Sequence, residues 1–177
     1  MRYRRSQVGG GTYFFTANIE NRNDTLLVDY IDVLRESVGR TKQRHPFQID
    51  AMVVLPDHFH TIWTLPPGDS NYPLRWFSIK SAFSRCLPKT ECRNASRARK
   101  GERGIWQRRY WEHQIRDERD MATHIDYIHY NPVKHGYVQH AIDWPYSSIH
   151  RFVRKGILPA NWGSTEQGVL EGDFGER

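Results

Sequence analysis

Two stretches of this 177-residue chain carry residue types that can do chemistry. In Leu55-Pro56-Asp57-His58-Phe59-His60-Thr61-Ile62-Trp63, two histidines flank one apolar residue. Alternate side chains of an extended strand point to one face, so His58 and His60 project together and Phe59 projects away. Paired imidazoles at a strand start can hold one metal ion. Two half-exposed polar strand positions give the same pattern, and His-x-His alone does not choose between them. Far downstream, Tyr127 and Asn131 stand four apart in a helix-like stretch and so share a helix face. If that helix packs beside the strand, a phenol and an amide oxygen reach the imidazoles. Asn131 then offers a hard oxygen ligand, and Tyr127 a nucleophile that can form a covalent intermediate. A phenol is protonated at neutral pH, with a reference pKa of about 10. Its attack needs a base or a metal-organised setting, and the metal would polarise and orient a scissile phosphate.

The elements that must position these groups are legible as periodicities. Residues 12–19 are aromatic and β-branched, a buried strand. Residues 26–44 carry apolar positions at helical spacing, with Asp24 or Thr25 as cap and His45-Pro46 as stop. Residues 47–55 and 58–65 form two further strands, a hairpin broken at Pro56-Asp57. Residues 74–87 form a second amphipathic helix. The polar, basic stretch 88–104 reads as a mobile loop. A closing strand falls near 110–115. Asp117 caps a helix that runs to Asn131 and is halted by Pro132. Asp143-Trp144-Pro145 opens a short helix, and the chain beyond Ser164 reads as extended or disordered. The predicted class is α+β: a ferredoxin-like βαββαβ antiparallel sheet with helices on one face, plus the tyrosine-bearing helix and a C-terminal extension. The expected division is a catalytic domain over 1–142 and an extension over 143–177.

Composition narrows the partners. Hydrophobic content of 38% and aromatic content of 13% suit a folded domain. A net charge of +6 makes an anionic partner plausible, nucleic acid first, with ordinary basic solubility as the plain alternative. Cys86 and Cys92 lack a second pair, which argues against a zinc ribbon or disulfide framework and suits reduced cytosolic thiols. No apolar h-region follows the basic start, and no apolar run approaches the ~20 residues of a membrane span.

The motifs also carry a family resemblance. His58-Phe59-His60 resembles the His-hydrophobic-His signature of HUH single-strand nucleases. The segment Val54 to Trp63 looks like its counterpart in single-tyrosine transposases. Asp126-Tyr127-Ile128-His129-Tyr130-Asn131-Pro132-Val133-Lys134-His135-Gly136 resembles the tyrosine helix of REP-associated tyrosine transposases. Gly10 to Thr16, Trp106 to His113 and Asp143 to Ser148 resemble further landmarks of that family. The similarity spans about residues 3–162.

The resemblance implies a divalent metal, Mg or Mn, and cleavage of single-stranded DNA through a 5′-phosphotyrosyl intermediate that leaves a free 3′-OH. By position Tyr127 is the nucleophile, and His58 and His60 are metal ligands. Asn131 is the third ligand, at a position where many insertion-sequence relatives carry Gln. Imidazoles are softer than magnesium prefers, so manganese is expected to support activity well. The implied partner is a REP-type single-stranded DNA hairpin. Arg2, Arg4, Arg5, Arg97, Arg99, Arg108, Arg109 and Lys134 are candidate DNA contacts through bidentate or phosphate pairing. Tyr3, Trp106 and Trp111 are candidate base-stacking platforms. The expectation is a cytoplasmic, nucleoid-associated bacterial protein with no membrane segment, monomeric rather than dimeric. The alternatives on the same fold are a catalytically idle hairpin-binding protein and a metal-dependent hydrolase that uses water.

Overall fold

A computed structural model describes residues 8–89, 91 and 95–164. Its centre is a four-stranded antiparallel sheet in the order β2-β3-β1-β4. The strands are β1 (Thr12–Asn18), β2 (Gln48–Val54), β3 (His58–Thr64) and β4 (Trp111–Gln114). The helices are α1 (Leu26–Asp29), α2 (Ile31–Arg44), α3 (Tyr72–Cys86), α4 (Ala95–Arg99), α5 (Glu118–Lys134) and α6 (Ile149–Arg154). This is the expected βαββαβ order.

Strand β1 is buried at nearly every position because both its faces are covered. Tyr13, Phe15 and Ala17 join Leu34 and Val38 of α2 and Trp76, Ile79 and Phe83 of α3 in one core. Trp63 of β3 stacks on Trp76 there, with centroids 4.6 Å apart. Phe14 points the other way, into a second core with Ile62 of β3 and Tyr127 and Ile128 of α5. The sheet therefore has α2 and α3 on one side and the tyrosine helix on the other.

Four local features differ from the sequence expectations. The helix read over 26–44 is interrupted at Tyr30, which separates α1 from α2. The basic stretch 88–104 contains α4, anchored by Arg97. Trp144 to Ser148 are not helical. They run along the outer edge of β2, where Val54 N donates to Tyr146 O at 2.9 Å and Ser148 N to Met52 O at 2.8 Å. An edge strand left open is a pairing hazard, and this segment covers it. The short helix starts only at Ile149.

The fourth difference bears on the site. Asp117 caps α5 as expected, accepting from Asp120 N at 2.8 Å. Pro132 does not end the helix, which continues to Lys134. The stop is Gly136, with φ 72°. Tyr137 N donates to Pro132 O and Gly136 N to Val133 O, both at 2.9 Å. That is a glycine-based Schellman closure, in which only a residue tolerant of positive φ fits. The extra turn keeps Lys134 on the helix that carries Tyr127.

Candidate active site

Strand alternation places His58, His60 and Ile62 on the α5 side of β3, as the core contacts of Ile62 require. The register pairs His60 with Thr16 and His58 with Asn18. Each imidazole is secured through Nδ1. His58 Nδ1 donates to Asp57 Oδ1 at 2.7 Å, and His60 Nδ1 lies 2.8 Å from Thr16 Oγ1. Arg22 pairs with the other oxygen of Asp57 and donates to Asn18 Oδ1 at 2.8 Å, which steadies the carboxylate. The two rings stand nearly perpendicular, at 83°, with centroids 4.9 Å apart. Both residues are buried, and His58 Nε2 has no hydrogen-bond partner among the described residues. Burial pushes the pKa of both imidazoles down, His60 well below its usual value, so they are held neutral with a lone pair to offer. Asp57 goes down too: burial alone would raise it, but His58 and Arg22 outweigh that.

Helix α5 brings its functional face against these rings. Tyr127 and Asn131 are buried. The Tyr127 ring lies 5.2 Å from that of His60, and the His135 ring lies 5.2 Å from that of His58. Residues 127, 131 and 135 succeed one another at one-turn intervals on one helix face. Asn131 is therefore bracketed by the two residues that touch the two imidazoles. Partial burial of the ring pushes the His135 pKa down to about 4. Lys134 Nζ donates to Tyr127 Oη at 3.2 Å and sits 4.8 Å from the centre of its ring.

His58, His60, Tyr127 and Asn131 thus converge across the β3–α5 seam. The candidate arginines among the described residues differ in environment. Arg97 is buried, pairing with Glu20 at 2.6 Å and donating to Trp106 O at 3.3 Å. Arg108 is exposed but paired with Glu102 at 2.9 Å. Arg99 and Arg109 are exposed. Arg2, Arg4, Arg5 and Tyr3 lie outside the described residues.

Sequence reasoning passed over Thr16, Arg22 and Asp57, and read His135 as a surface or supporting histidine and not a ligand. Asp57 carried a signal, a carboxylate directly preceding a candidate ligand. Thr16 carried none, because its role comes from strand register. A second group, His113, Asp120 and His124, holds ligand-type atoms within 4.8 Å of one another. Its two imidazoles stack at 4.6 Å and only 13°, so their in-plane lone pairs run side by side. The Asp120 carboxylate already accepts from His113 Nε2 at 2.8 Å and from Arg116 N and Nε at 3.0 Å. This group is a polar clamp between β4 and the first turn of α5.

Comparison with known proteins agrees with this fold. The family model for IS200-like transposases matches residues 8–131. A Haemophilus influenzae protein assigned as a REP-associated tyrosine transposase is 49% identical, over 97% of this chain and 98% of its own length. The REP-associated tyrosine transposase of Escherichia coli K12 is 43% identical, over 99% and 96%. A solved structure of a REP-associated tyrosine transposase bound to a REP hairpin superposes with a TM-score of 0.85 at 42% identity, covering 100% of this chain and 98% of that one. The chain belongs to the IS200-like transposase family, within its REP-associated tyrosine transposases, and is an enzyme of that class.

Proposed function

We propose that this chain is a metal-dependent single-strand DNA endonuclease and strand transferase that acts at REP-type hairpins through a 5′-phosphotyrosine. The observation that carries the reading is the packing of Tyr127 against His60, with Asn131 one turn on. His58, His60 and Asn131 are the residues that would hold a divalent cation, magnesium or manganese. The donor set fits. Leaving the buried His58 Nε2 unsatisfied costs about 1–3 kcal/mol, and its Nδ1–H bond to Asp57 is the outer support that ligating histidines use. Bound there, the cation would polarise the scissile phosphate and balance its charge.

The chain's own groups supply the rest. Helix α5 presents the Tyr127 hydroxyl to the phosphate. Its oxygen bonds to phosphorus, the 3′ oxygen leaves, and the DNA is held by its 5′ phosphate. The neighbouring imidazoles, kept neutral by burial, add no positive charge that would compete with a cation. Exposed Arg99 and Arg109, with Arg2, Arg4 and Arg5, are the proposed DNA contacts. A cleft of about 630 Å³ bordered by the exposed Phe77 and by Lys80, Arg85, Lys100 and Arg108 is suited to unpaired bases, whereas Trp106, read from the sequence as a stacking platform, is buried in the core. Coverage of the β2 edge by residues 144–148 removes that edge as a pairing surface and supports a monomer.

Incubation with a REP-type hairpin and manganese, followed by a denaturing gel, tests the reading. The wild type is expected to form a covalent adduct and Tyr127→Phe none. Cleavage by Tyr127→Phe at the wild-type rate would replace tyrosine by water as nucleophile, and a gel shift without any cleavage would leave only a binding protein.

A further inference from the structure

We propose that Lys134 is a catalytic residue of this reaction, its ammonium holding the Tyr127 oxygen and stabilising the negative charge that gathers there. This rests on the tyrosine-nucleophile reading above. Seven residues separate the two, which places them on one side of α5 two turns apart. The juxtaposition exists only because the helix runs through Pro132 to its glycine closure. Lys134 Nζ then reaches Tyr127 Oη at 3.2 Å and lies over the ring at 4.8 Å, a contact with both the oxygen and the π face. Tyr127 is 1% exposed, while Lys134 stands at the rim of the site. A fixed charge beside a water-poor reacting oxygen is the arrangement in which an electrostatic contribution is largest.

The transesterification makes use of such a charge in both directions. In the forward step Tyr127 Oη bonds to phosphorus and the bond from phosphorus to the 3′ oxygen breaks. The leaving 3′ oxygen takes up a proton, and the phenolic proton passes to solvent. In the return step a 3′-hydroxyl attacks phosphorus, loses its proton, and the bond to Oη breaks. The phenol oxygen departs with the electron pair and is reprotonated. Nothing is oxidised or reduced. In each direction Oη carries partial negative charge at the transition state, beside the Lys134 ammonium. A lysine serving only a distant backbone phosphate would have no reason to lie along the nucleophile's ring.

The test separates binding from chemistry. Hairpin affinity is measured without metal. Single-turnover adduct formation and adduct resolution by a 3′-hydroxyl strand are then measured with manganese at saturating hairpin. Lys134→Met is expected to slow both chemical steps about 100-fold and to leave affinity within about twofold, since its effect is on the transition state. Lys134→Arg, which keeps the charge, is expected to recover at least a tenth of the wild-type rate. Weakened affinity with unchanged saturated rates would overturn the proposal in favour of a DNA contact. Unchanged rates, or equal losses for Met and Arg, would overturn it too. If Lys134→Met melts early, the Arg variant alone decides. A wild type that binds hairpin without forming an adduct would instead remove the tyrosine reading, a different outcome from normal adduct formation by Lys134→Met.

Discussion

Among the described residues two histidine clusters stand out, and they differ in which donor atoms are already engaged. In the β3–α5 seam the rings of His58 and His60 cross at 83°, and each is held from outside through Nδ1. At the β4–α5 corner the rings of His113 and His124 stack at 13°, and Asp120 bonds to both. Both clusters bring nitrogens and oxygens close together. What separates them is where the donors are already spent. In the seam, support comes from behind the rings and leaves His58 Nε2 unmatched. At the corner one carboxylate oxygen of Asp120 already accepts from both Arg116 and His113, and the other faces His124. Proximity of ligand-type residues does not make a metal site; the direction of their remaining lone pairs does.

The sharpest way to break this contrast is to remove one histidine from each cluster. His60→Ala is expected to abolish hairpin cleavage and to weaken manganese binding by at least 100-fold, followed by isothermal titration or by the resonance signal of free manganese. His124→Ala is expected to leave manganese binding intact and to lower unfolding free energy by about 1–3 kcal/mol, read by urea denaturation. Equal losses of metal from both variants would erase the distinction.

Asp57→Asn probes the outer support. It keeps the shape but loses the charge that sets the His58 tautomer, so manganese affinity is expected to fall about 10- to 100-fold with the fold intact. An unchanged affinity would show that His58 is oriented by packing alone.

Acid sharpens the contrast from the other side. Burial alone would raise Asp120, but the hydrogen bonds from Arg116 and His113 hold it well below the usual carboxylate range. A carboxyl depressed in the folded state contributes stability that is fully present above its unfolded pKa of about 3.9 and is lost as pH falls toward the folded value. Asp120→Asn is thus expected to flatten the loss of urea midpoint below about pH 4 and to leave manganese affinity unchanged. The smallest effect is expected from Ser148→Ala, which removes the acceptor for Met52 N and the partner of His129 Nε2. It should cost about 1–2 kcal/mol in urea denaturation with cleavage unchanged.

Much of the site was legible because its signals are local. Alternation in β3 put His58 and His60 on one face, and one-turn spacing in α5 paired Tyr127 with Asn131. The strands were legible from aromatic and β-branched runs, and β1 was buried enough on both faces to lose its alternation. Where the reading slipped, a local rule competed with a stronger one. Pro132 was taken as a helix stop, yet the helix gives up one backbone bond there and runs on to Lys134, and Gly136 supplies the left-handed residue that closes it. Arg97 looked like a DNA contact because it stands in a basic run, but Glu20, from a distant part of the chain, draws it into the fold.

The amino-acid sequence by itself determined the chemistry on offer: two imidazoles on one strand face, a phenol and an amide one turn apart, and the elements that carry them. Tertiary structure decided which of those faces meet. The cores built by Phe14, Ile62 and Ile128 on one side of the sheet, and by Phe15, Trp63 and Trp76 on the other, set α5 against β3. That packing brings Tyr127 to His60, brackets Asn131 between the imidazole contacts and lays Lys134 on the Tyr127 ring. The physical reason is one of range. Side-chain direction follows from the backbone period within a few residues, whereas a contact between residues far apart in the chain exists only once non-local apolar burial has docked the elements that bear them.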